Sequence, residues 1–128
     1  MMKIKEEVKE TVIKNLKGWL SELNMKILTH IREMEKSDTM ERFMKIKKSL
    51  LSYYVRNIPI SASYCPFCVL KRKEGMPCSR CPYAKIHGEC SSFFSDYHTI
   101  RDISILLANE IDRRYFKEGE EYLLEGEK

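Results

Sequence analysis

All five cysteines of this 128-residue chain lie between Cys65 and Cys90. They read Cys65-Pro66-Phe67-Cys68, a nine-residue spacer, Cys78-Ser79-Arg80-Cys81, and then Cys90 after His87. Thiols gathered so tightly either pair as disulfides or share a metal. In a reducing compartment, repeated Cys-x-x-Cys spacing reads as a metal site. Disulfides are the alternative, and they persist in the cytosol of hyperthermophiles.

A Cys-x-x-Cys turn presents two sulfurs on one side of a tight loop. Two such turns supply four thiolates, a closed tetrahedral shell for borderline-soft Zn2+. The expected ligands are therefore Cys65, Cys68, Cys78 and Cys81, with Cys90 and His87 as alternates. The spacer from Val69 to Pro77 carries Gly75 and Pro77, which help it fold back. A [4Fe–4S] cluster is the competing cofactor, because prolines stand beside three of the cysteines. The tight Cys-x-x-Cys-x-x-Cys run of ferredoxins is absent.

The flanks read as helices. Ile4, Val8, Val12, Leu16, Leu20, Leu23, Ile27, Ile31 and Met34 recur at three- and four-residue steps, predicting a helix over 3–36 beside which Trp19 sits. Unbroken, it would be about 50 Å long, against about 35 Å across a compact domain of this size. It therefore bends near Gly18 or Asn24, or packs on another chain as a homodimer. Asp38-x-x-Glu41 has capping-box spacing, and a second helix over 39–56 should follow. Its expected apolar face is Met40, Phe43, Met44, Leu50, Leu51, Tyr54 and Val55, with Lys45, Lys47 and Lys48 on a solvated side. Residues 58–64 form an extended lead-in after Pro59. A third helix begins at Phe93 or Thr99 and presents Ile100, Ile103, Leu106, Leu107, Ile111 and Tyr115, with Gly119 as its cap. Residues 120–128 form a last turn or fray. No internal repeat stands out.

The expected fold is mainly α: antiparallel helices with an inserted Cys-rich metal-binding loop. It is read as one domain, with a helical hairpin over 1–57, a metal module over 58–92 and a C-terminal helix and tail over 93–128. The net charge of +4 is mild and permits nucleic-acid contact without demanding it. Lys71, Arg72, Lys73, Arg80 and Lys85, near Tyr64, Phe67 and Tyr83, are the candidate nucleic-acid-binding residues. No apolar run reaches the roughly 18 residues of a membrane span, and the start carries acid, unlike a secretory signal. A cytoplasmic protein without a membrane partner is expected.

The cysteine stretch resembles small zinc knuckle, treble-clef and ribbon modules. It also resembles a group of short phage and archaeal proteins with the pattern Cys-x-x-Cys, spacer, Cys-x-x-Cys-Pro, then Gly and Cys. Cys65, Cys68, Cys78, Cys81-Pro82 and Cys90 carry that likeness, and Val69 stands where the ribbon has glycine. The resemblance implies a structural metal and no particular activity. The residues exclude the common catalytic signatures: there is no His-Glu-x-x-His and no phosphate-binding glycine loop. Cys90 with His87 as its base is the one nucleophile pair to weigh. The expected function is a zinc-binding, non-catalytic interaction module, acting on a partner protein or on itself. The alternatives are a nucleic-acid-binding regulator and an iron–sulfur redox protein.

Overall fold

The computed structural model describes residues 2–124. The protein is mainly helical, and no strand occurs among the described residues. In chain order come α1 (Glu6–Glu35), α2 (Met40–Arg56), α3 (Pro66–Glu74), α4 (Pro82–His87) and α5 (Asp96–Glu110). Single 3₁₀ turns precede α3 and α4, and one π-helical turn, Ile111–Tyr115, follows α5. The chain gathers into two compact units. One comprises Met1–Glu22 with Ile58–Ile103, and the other Leu23–Asn57 with Ser104–Lys128.

In the first unit, the start of α1 packs on α3. Val8, Val69 and Leu70 are buried together, with Val12 and Met76 against them. Asn15 Nδ2 donates to the Ser63 carbonyl at 2.7 Å, tying α1 to the segment that leads into the cysteines. Lys5 and Glu74 form an ion pair. The lead-in is not wholly extended, since Ala62–Tyr64 form a 3₁₀ turn. The spacer between the cysteine pairs is likewise more regular than its composition predicts. Most of it is α3, which Gly75 ends in a left-handed conformation at φ +66°. Glycine adopts that conformation without the clash a Cβ brings.

In the second unit, Ile46 and Ser52 are the buried residues of α2, while Met40, Phe43 and Tyr54 of the expected apolar face are exposed. Thr39 caps α2, its hydroxyl accepting from the Arg42 N–H at 3.2 Å. Asp38 was the expected cap; the extended backbone at Thr39 puts the acceptor one residue later. The lysines expected to face solvent all find partners. Lys48 Nζ donates to the Phe116 carbonyl at 3.2 Å, Lys45 pairs with Glu118 at 2.6 Å, and Lys47 lies 5.9 Å from the centre of the Tyr115 ring. Arg56 donates to Asp112 at 2.8 Å, and hydrogen bonds from Arg56 and Ser52 hold the Asp112 carboxyl below its usual range. Phe116, just past the π turn, is fully buried.

On α5 four residues of the expected apolar face are exposed, while Ile111 and Tyr115 beyond it are half-buried. Ile100, Ile103, Leu106 and Leu107 are 52%, 61%, 60% and 50% exposed, while Ala108 is the residue fully buried. The helix begins at Asp96, not Phe93 or Thr99. Buried Ser95 accepts from the His98 N–H at 3.1 Å and donates to the Ser92 carbonyl at 2.9 Å. The helix ends before Gly119, which lies beyond the π turn with φ +87°. Residues 120–124 have no regular structure, and the rest of the expected last turn lies outside the described residues.

Candidate metal centre

The cysteine segment is built from one local device used twice. A 3₁₀ turn (Ala62–Tyr64) leads to Cys65 as N-cap and Pro66 as first residue of α3. A second 3₁₀ turn (Cys78–Arg80) leads to Cys81 as N-cap and Pro82 as first residue of α4. Proline suits that position because its fixed φ is helical and its missing N–H would have had no partner there. The two copies stand sixteen residues apart, an internal repeat too short and too degenerate to see in the residues alone. Phe67 and Tyr83 occupy matching positions, and their rings meet at 5.7 Å.

A cavity of about 350 Å³ opens beside this repeat. Cys65, Cys68 and Cys90 line it together with Tyr64, Tyr83 and Tyr97. Cys81 is buried, and Cys78 is exposed. All five thiols are free of disulfides. Burial pushes the Cys68 thiol up to about 11, and the neighbouring Cys65 adds to this. Burial also raises Cys90, followed by the charges of Cys65, Cys81 and Cys78. Cys90 lines the same cavity as Cys65 and Cys68. As they stand, no three Cys, His, Asp or Glu side chains among the described residues form a group that could hold a metal ion. Cys65, Cys68 and Cys90 line a shared space instead of meeting at a point.

His87 is directed elsewhere. Its Nδ1 lies 2.7 Å from Asp96 Oδ2, and its ring stacks on Tyr83 at 4.2 Å. Neither contact involves Cys90. Lys71 donates to Cys78 Sγ at 2.8 Å, and that bond raises the lysine's pKa. Arg72 and Lys73 occupy the last turn of α3 with Lys71, where cations complement the helix dipole. Arg80 and Lys85 are exposed on the following elements.

Gly88 closes α4 and brings Cys90 into place. Its φ of +83° and ψ of +157° belong to a region open essentially to glycine. A Cβ there would meet the Ser95 Cα at 3.0 Å. Gly88→Ala is expected to cost about 1–3 kcal/mol from backbone strain alone, read as a lower midpoint in guanidinium unfolding. An unchanged midpoint would contradict this packing of Gly88 on Ser95.

No family model matches the chain, and no curated protein or solved structure matches it either. No helix among the described residues is long and apolar enough to cross a membrane.

Proposed function

We propose that the protein is a metal-stapled helical interaction module: antiparallel helices carry a cysteine-rich insertion held by Zn2+, and the protein binds without catalysing. The observation that carries the metal is the meeting of Cys65 and Cys68, from the first turn-Cys-Pro device, with Cys90 on one cavity, while the second device buries Cys81 nearby in the chain. Thiolates in such numbers suit a soft cation, and bound zinc would contribute folding energy directly. Metal analysis of the purified protein tests this, with about one zinc per chain expected. Protein free of metal yet fully folded would refute it.

The interaction surface is the outward side of α5. Ile103, Leu106 and Leu107 on this helix are each at least half exposed, an apolar stripe without a partner. A second copy of this chain fits it, because an antiparallel pair of α5 helices buries one apolar stripe against the other. Sedimentation at micromolar concentration is expected to give twice the 15.2 kDa chain mass. Ile103→Glu with Leu107→Glu should raise the dimer Kd more than about 100-fold, since each buried aliphatic contributes about 1.5–3 kcal/mol. A monomeric wild type would remove this surface from the reading and leave the metal in place.

A further inference from the structure

We infer that the metal shell is Cys65, Cys68, Cys81 and Cys90, and that Cys78 stands outside it as an accessible thiol held by Lys71. The inference rests on the thiolate–metal reading and names its ligands. The two Cys-x-x-Cys pairs look alike in sequence but are not alike in space. Aligned on their shared device, Cys65 matches Cys81, as the two N-caps followed by proline. Cys68 lies one turn inside α3, where α4 has Ala84. Cys78 opens the second 3₁₀ turn, where the first has Ala62. The second pair therefore straddles a turn, whereas the first sits at a helix start.

Burial and contacts divide the thiols in the same way. Cys81 is buried, and Cys65, Cys68 and Cys90 are half-buried on one cavity. Cys78 is exposed, and the ammonium of Lys71 lies 2.8 Å from its sulfur. Cys90 reaches the cavity because Gly88 turns the chain back after α4 and Ser95 anchors the loop beyond it, its hydroxyl 3.5 Å from the Cys90 carbonyl. A closed zinc site takes four ligands. The four thiols that are buried or half-buried complete it, and the exposed fifth is left for solvent.

The test uses the full chain loaded with one equivalent of zinc. The loaded protein is treated with iodoacetamide and the labelled peptides are mapped. Zinc affinity is measured by competition with a chromophoric chelator. Labelling at Cys78 alone is expected. Cys78→Ser should hold zinc as the unaltered protein does, and Cys90→Ser should bind it more than ~100-fold more weakly, beyond the loss typical of an outer-shell change. Labelling at Cys90, or zinc lost from Cys78→Ser, overturns the assignment while the metal reading stands. A chain that takes up no zinc overturns both. If Cys90→Ser does not fold, the labelling pattern of the unaltered chain decides.

Discussion

If the cysteine segment holds the proposed zinc, stripping it with a strong chelator is expected to melt α3, α4 and the turns around them. The apolar core of this unit is small. Val8, Val69 and Leu70 are its buried cluster, and at about 1.5–3 kcal/mol each they supply roughly 5–9 kcal/mol. A structural zinc is worth about 10–16 kcal/mol in finger peptides, enough to decide the outcome. The expected signal is a loss of near-ultraviolet circular dichroism from Tyr64, Tyr83 and Tyr97, which line the cavity, with a partial loss of helicity. Cys81→Ser should reproduce it. A chelated protein with unchanged spectra and melting would show that the segment holds itself.

Phe116→Ala should be the most damaging change in the other unit, at about 3–5 kcal/mol. The side chain has no exposed surface, and its ring stacks on Tyr122 at 6.2 Å. Its carbonyl accepts from Lys48, so the residue also fixes the end of the helical segment to α2. Truncation leaves a cavity that neighbouring side chains fill incompletely. Urea unfolding followed by far-ultraviolet circular dichroism reads the cost. Phe116→Leu, which keeps most of the volume, should lose much less. Equal stability of Phe116→Ala and the unaltered protein would place this ring outside the core.

The long helices were legible because their apolar residues recur at helical spacing and because capping residues bracket α2. The mainly helical class followed from that alone. Faces were harder to read than lengths. On α5, periodicity cannot tell an inward stripe from one reserved for a partner, and small Ala108 took the inside. Phe116 lies beyond the last periodic residue, where no pattern marks burial. In the cysteine segment, the residues were visible but their geometry was not. Identical spacing in the two pairs concealed that one begins a helix and the other spans a 3₁₀ turn. Pro66 and Pro82, beside cysteines, each start a helix, standing at its first position. Cys90 counted as an alternate because it belongs to no pair, and only the turn at Gly88 shows where it goes.

The first unit joins stretches far apart in the chain, and this has a consequence during synthesis. Val8 packs on Val69 and Leu70, which leave the ribosome about 60 residues later. At roughly 5–20 residues per second, the start of α1 waits some 3–12 seconds for its neighbours. Throughout that interval its valines are open to chaperones. The nascent chain is thus most vulnerable before its cysteines emerge, and a release any earlier would leave that helix end with nothing to fold against.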